Sequence, residues 1–298
     1  MGVLVATNPL RAVVAVGRGP SDSRPVASAF RPSLACQLAQ LRRTELQLMA
    51  VSPRPLVVVV LGVGARSGVT TLAALLARAM AALAPGRVAA LDGDGTYQAL
   101  RDRLGTDGSG DLRLMLATPD VWRTRRLTER FVASRGSVPL LAAGDADRGR
   151  PLRSHELRSA LSLLRRRFPV LVADLPRQAE VDRFNLAAQA ADHVVLVGRK
   201  SGPPLEQARQ WLRRNRTGRA AQSLTVVVPP TSSMPSPSGI DVIFPADAAL
   251  ASPGIRRLAE LQLSTLAAVE AITCRIAAGW RNEMRPPCVN VVDPLVVV

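Results

Sequence analysis

Lysine is nearly absent: of 39 basic residues, Lys200 alone is not an arginine. Any chemistry that needs a lysine elsewhere in the chain is therefore excluded. Aromatic residues make up 3%, too few to build a platform on which single-stranded nucleic acid could stack. The two histidines, His155 and His193, are too few and too far apart for a His-based metal site. Three cysteines, Cys36, Cys274 and Cys288, are scattered and lack metal spacing. They fit a reducing cytoplasm and exclude a disulfide scaffold. No run of 18 apolar residues exists, so no membrane-spanning helix is expected. Arg11 and Arg18 interrupt the apolar N-terminus, which does not read as a secretory signal.

Hydrophobic residues, in contrast, reach 47% of 298 residues, enough for one large α/β domain with an ample core. The net charge is +16. Its almost pure arginine make-up, beside abundant Ala, Val and Pro, is that of a GC-rich genome. The excess can also attract polyanions such as DNA.

Three regions follow. Residues 1–54 read as a basic, partly disordered leader, with seven arginines against Asp22 and Glu45 and one short helix over 35–50. Residues 55–279 alternate strand and helix patterns. Residues 280–298 form a proline-broken, valine-rich tail. Strands are expected at 56–61, 87–91, 138–141, 170–173, 193–197, 224–228 and 241–244. Helices are expected at 70–83, 155–167, 185–191, 205–214 and 254–279. The continuous apolar run 56–61 marks a strand buried on both faces. The alternation predicts an α/β fold, a doubly wound, mostly parallel sheet with helices on both faces.

The first strand–turn–helix unit carries the chemistry. Val57-Val-Val-Val-Leu-Gly62-Val-Gly64-Ala-Arg-Ser-Gly68-Val-Thr70-Thr71 places a glycine turn before a helix N-terminus. Backbone N–H groups and the helix dipole there face an incoming anion, and glycines let it approach closely. A P-loop would end in Gly-Lys-Ser/Thr, its lysine facing the phosphates and its hydroxyl binding magnesium. Here the hydroxyl position is Thr70 and the lysine position is Val69.

This tract resembles the deviant Walker A motif of the ParA/MinD ATPases, Lys-Gly-Gly-x-Gly-Lys-Thr-Thr. The aligned positions are Gly64, Ala65, Arg66, Ser67, Gly68, Val69, Thr70 and Thr71. Both motif lysines are missing, at Gly64 and Val69, and Arg66 is the only nearby cation. Its planar fork is a poor replacement for an ammonium. Four later segments match in order. Asp92-Gly-Asp94 follows a strand, and Phe168–Asp174-Leu-Pro176 resembles a Walker B strand. Ala191-Asp192-His193-Val194 opens another strand. Ile243-Phe-Pro245-Ala-Asp247-Ala-Ala-Leu250 resembles the segment near the family's adenine pocket. The pattern is most similar to a degenerate branch, such as CpaE/TadZ pilus-localisation proteins and septum-site regulators.

The resemblance implies that Thr70 contacts magnesium, Asp174 holds it through water, Thr71 contacts the α-phosphate and Asp92 orients the attacking water. It implies ATP or ADP with Mg as cofactors, bound weakly or lost, and slow hydrolysis or none. It also implies a cytoplasmic spatial regulator or scaffold for partitioning, septum or pilus/secretion positioning, with a protein partner in that machine and a possible homodimer. No MinD-like membrane anchor is seen after Trp280. Arg213, Arg214 and Arg216 are the candidates for nonspecific DNA binding.

Structural readings stand beside these. Asp92, Asp174 and Asp247 can simply cap the next turn, and His193 can be structural. Two enzyme alternatives also remain. One is an active DNA-partitioning ATPase in which Arg66 or a partner supplies the missing charge. The other is a dinucleotide enzyme using Gly62, Gly64, Gly68 and Asp92, although Tyr97, the only tyrosine, lacks a lysine partner.

Overall fold

A computed structural model describes residues 54–64, 66–93, 99–106, 110–118, 131–132, 138–144, 150, 152–175, 185–186, 189–199, 203–215, 224–228, 240–250 and 258–284. The leader helix, Ala65, Asp94, Arg216, the valine-rich tail and most of the region between 118 and 138 lie outside these residues.

Seven strands form one sheet: β1 (Leu56–Val63), β2 (Val88–Asp92), β3 (Leu140–Leu141), β4 (Val170–Leu175), β5 (His193–Gly198), β6 (Leu224–Val228) and β7 (Val242–Ile243). Their spatial order is β3-β2-β4-β1-β5-β6-β7, and every pairing is parallel. The helices are α1 (Val69–Leu83), α2 (Ala99–Leu104), α3 (Leu112–Ala117), α4 (Ser154–Arg167), α5 (Pro203–Asn215) and α6 (Leu263–Met284). The doubly wound parallel sheet expected from the alternation is thus the observed architecture.

β1 shows why its sequence is apolar without a break. Leu56, Val58 and Val60 enter one core with α1 and α6, while Val57, Val59 and Leu61 enter the other with α4 and α5. A strand sandwiched between two helical layers has no solvent face, so period two is present in space but invisible in polarity. α4 is the opposite case. Leu157, Ala160, Leu161 and Leu164 are buried on one side, and Arg158 and Arg166 are exposed on the other.

Two side-chain devices close the lower edge of the sheet. Asp192 precedes β5, where its Oδ2 accepts Val57 N at 2.7 Å and its own amide donates to Val57 O. Arg165 of α4 lies 3.7 Å from the same oxygen and donates to Ala190 O. Asp241 repeats this before β7. Its Oδ2 accepts Val226 N at 2.8 Å, its amide donates to Val226 O, and Arg275 of α6 holds its Oδ1. His193 is buried, with Nε2 2.9 Å from Thr225 Oγ1 on β6, which is the structural role expected of it.

Three elements differ from expectation. α2 and α3 have no counterpart in the sequence pattern, because six residues are too few to show a helical period. The pattern starts the closing helix at 254. Instead a 3-10 turn occupies Leu258–Glu260, and α6 starts only at Leu263 and runs to Met284. The cause is Asp247, whose carboxylate accepts Gln262 N at 2.8 Å and the Thr265 hydroxyl at 2.8 Å. These bonds cap the helix at that point.

Candidate phosphate-binding crevice

β1 lies where the winding reverses. The chain leaves it through α1 for β2 on one side, and later passes from β4 across β1 to β5 on the other. In open α/β sheets, ligands bind at such a reversal, outside the carboxyl ends of the strands. The turn between β1 and α1 sits there.

Its backbone is set by three left-handed residues. Gly64 has φ +82°, Arg66 +56° and Gly68 +85°. A methyl group built on Gly64 or Gly68 would meet nothing within 4 Å, so both face open space rather than packed atoms. Arg66 is exposed and is the only described non-glycine residue with positive φ. It stands at one of the three resemblance positions where a glycine is expected, and it keeps the glycine-type conformation. Gly68 is the N-cap of α1, and no side chain caps the helix there. The first N–H groups of α1 therefore receive no side-chain cap from Gly68 at the mouth of the crevice.

The residues after Gly68 divide by depth. Val69 is 3% exposed and packs into the apolar core with α1. The position that in the resemblance carries the phosphate-facing lysine is here part of the hydrophobic interior. Thr70 and Thr71 are half-buried, and Ser67 is half-buried between the two exposed turns.

Two carboxylates end the neighbouring strands. Asp174 is paired in register with Val60 on β1 and with Asp92 on β2. Both aspartates are buried, Asp174 completely. Gly93 keeps them close. Its amide donates to Asp174 O at 2.9 Å, and a methyl there would overlap both that carbonyl and Leu175. Asp92 also has a structural role: its Oδ2 accepts Leu100 N at 3.2 Å at the start of α2. The turn loop, the two threonines and both carboxylates thus belong to one end of the sheet.

The segment around Asp247 follows β7 and so leaves the sheet at the same end as the crevice, whereas that around Asp192 does not. Asp192 lies at the opposite edge, closing β1 and β5. Asp247 caps the Ala248–Leu250 turn through Ala249 N and ties it to α6. Burial alone would raise its pKa, but the bonds from Gln262 N, Thr265 and Ala249 N outweigh that and hold it below the ordinary value. Arg213 and Arg214 are exposed at the end of α5, well away from the β1–α1 turn in sequence. No cluster of potential metal ligands from His, Cys, Asp and Glu forms among the described residues. No described helix is long and apolar enough to cross a membrane.

No protein-family model matches the chain, and no curated protein does. Solved structures do. A ParA family ATPase from Chlorobium tepidum is 12% identical, with 76% of this chain and 98% of that one covered at a TM-score of 0.54. The septum site-determining protein MinD from Pyrococcus horikoshii, complexed with Mg-ADP, is 15% identical, covering 74% and 94% at 0.55. The MinC:MinD cell division complex from Aquifex aeolicus gives 18%, 78% and 98% at 0.52. The chain therefore has the fold of the ParA/MinD-type ATPases.

Proposed function

We propose that this chain is a degenerate ParA/MinD-like protein: a cytoplasmic spatial regulator or scaffold that binds Mg-nucleotide weakly and hydrolyses it slowly or not at all. The observation that carries this reading is the split at the start of α1. The cradle is kept, since Gly64, Arg66 and Gly68 hold left-handed turns and the helix N-terminus is uncapped. The charge is not kept, since Val69 is buried in the core.

In this reading the backbone N–H groups of Gly64 and of Arg66 to Thr71 face the phosphates, with Ala65 assigned to the same loop by its sequence position alone. The Thr70 hydroxyl and, through water, Asp174 hold magnesium, and Thr71 meets the α-phosphate. Magnesium would supply charge neutralisation on the phosphate oxygens. Asp92 would orient water, yet its bond to Leu100 N commits part of its carboxylate to α2. Phosphoryl transfer depends on electrostatic stabilisation of developing charge, and here Arg66 is the only described cation within the turn. Weak binding without turnover fits a protein that reports or positions. The partner is then a protein of a partitioning, septum or pilus/secretion machine, as in the CpaE/TadZ-like branch, and the chain can also pair with a second copy of itself.

Calorimetry with Mg-ADP and Mg-ATP, paired with phosphate release, tests it. The expected result is weak binding with negligible turnover. Robust turnover that Asp174→Ala abolishes would overturn the pseudoenzyme reading, and no heat with either nucleotide would overturn the cradle.

A further inference from the structure

α2 is too short to hold itself, because a single turn and a half gains little beyond its nucleation cost. Its ends are gripped from elsewhere. At the start, Leu100 N donates to Asp92 Oδ2, inside the protein. At the end, Arg78 of α1 is buried and donates through Nη2 to Leu104 O at 2.7 Å. Gly105, at φ +60°, turns the chain out of the helix. The amides of Gly105 and Thr106 bond back to Asp102 O and Arg101 O, a Schellman-type close.

From this gripped helix one arm reaches far along the chain. Arg103 Nη1 donates to Leu250 O at 2.7 Å, 147 residues away in sequence. Leu250 is the last residue of the 3-10 turn that Asp247 organises, and its own amide donates to Asp247 O. The Asp247 carboxylate in turn fixes Gln262 N and Thr265, the entry to α6. The links are hydrogen bonds between separate elements, except Leu250 N to Asp247 O inside the 3-10 turn, and the first acceptor is a crevice carboxylate.

We infer that α2 is a relay that couples Asp92, at the crevice end of β2, to the strap formed by residues 247–250 where they bond residues 262–265 and set the start of α6. Whatever draws the Asp92 carboxylate away from Leu100 N leaves a buried amide without its acceptor. That weakens the docked state of α2 relative to a frayed one. Arg103 then loses its fixed base, and Leu250 O loses a charged donor. The outer end of this chain of bonds is a surface, since Leu263, at the first position of α6, is 49% exposed. The relay holds for any ligand that engages Asp92, so it does not depend on the nucleotide reading.

Native-state amide exchange on the unliganded full chain tests it. The reporters are Ala249, Leu250, Gln262 and Leu266, whose amides bond within the strap or the first turn of α6. Arg103→Met keeps the aliphatic stem and removes the guanidinium. It is expected to speed exchange at these amides by about tenfold. Asp92→Ala is expected to speed the same amides, and the double variant no more than the larger single effect, because one chain of hydrogen bonds is cut twice. Leu212→Ala on α5 serves as a control that lowers global stability without favouring the strap. Exchange confined to α2 in Asp92→Ala, or effects that multiply in the double variant, would overturn the relay. If Asp92→Ala does not fold, Arg103→Met decides alone, and strap exchange unchanged in that variant would overturn the relay equally.

Discussion

Asp192 accepts the Val57 amide at 2.7 Å and returns its own amide to the Val57 carbonyl, so one residue before β5 completes the lower edge of β1. A backbone donor at that edge has no other strand to bond to. Replacing Asp192 with alanine leaves the amide unsatisfied in a half-buried place, at a cost of about 1–3 kcal/mol. The melting temperature should fall by roughly 3–10 °C, and Asp192→Asn, which can still accept, should fall less. Thermal scans of both variants check this; equal losses would mean that charge, not the acceptor, matters.

Arg66 holds a backbone conformation that glycine adopts without steric penalty. Arg66→Gly should relieve about 1 kcal/mol of left-handed strain, less the added entropy of the unfolded glycine. The unliganded variant is expected to melt no lower than the wild type, while its affinity for Mg-ADP falls. A clear loss of stability would show that the guanidinium is held by the fold rather than offered to the crevice.

Val69→Lys reads in two directions at once. An ammonium at a position 3% exposed costs stability unless its stem carries it to the crevice. The free variant should melt lower than the wild type, and Mg-ADP should raise its melting temperature by more than it raises that of the wild type. A charge–phosphate interaction of about 1.5–3 kcal/mol corresponds to roughly 10- to 150-fold in affinity. An equal ligand shift in both proteins would mean that the lysine stays out of the phosphate site.

Glu270 on α6 carries a pH dependence. Burial pushes its pKa up to about 6, above the roughly 4.3 of an unfolded glutamate. Between these values the native state holds a proton that the unfolded chain has lost. Its contribution is full below about pH 4 and is lost as pH rises through 6. Glu270→Gln should stabilise the protein at pH 8 by about 1–2 kcal/mol and flatten the slope between about pH 4.5 and 7. Urea titrations at pH 5 and pH 8 give both quantities.

Arg213 and Arg214 are exposed at the end of α5, where cations also suit the helix dipole. If they bind DNA with Arg216, binding will be independent of sequence. Removing all three should lower the slope of log affinity against log salt by about one for each phosphate that is no longer neutralised. Two unrelated duplexes across a salt series decide it. Binding unchanged in the triple alanine variant removes DNA from this helix end.

The strands were legible because each is a short apolar run bounded by breakers, and the long helices because Leu157, Leu161 and Leu164 repeat at helical spacing. The β1–α1 turn was legible from its glycines. The short helices were not: α2 is held by Asp92 and Arg78 from outside the helical sequence, and α3, capped by Asp111 just before it, is too short to show a helical period. The start of α6 was misplaced for the same reason, since Asp247 acts fifteen residues before Gln262. Polar residues look alike in sequence whether they cap, clamp or face a ligand. Asp192 and Asp247 proved to be clamps, and Asp92 both caps α2 and ends its strand in the crevice.

The two-sided burial of β1 has a consequence for how the chain finds its alignment. In most sheets a slip of one residue throws apolar side chains into water, and that penalty fixes the pairing. β1 would suffer no such penalty, because Leu56–Leu61 offers an aliphatic side chain to either core. What distinguishes the right alignment is polar and local: the Asp192 carboxylate meeting one particular amide at the entrance, and Gly64 at the exit. Exchanging Asp192 for an apolar residue would thus do more than lower stability. It would remove a marker that tells the central strand which of two nearly equivalent settings to adopt, and slow or heterogeneous refolding would be the sign.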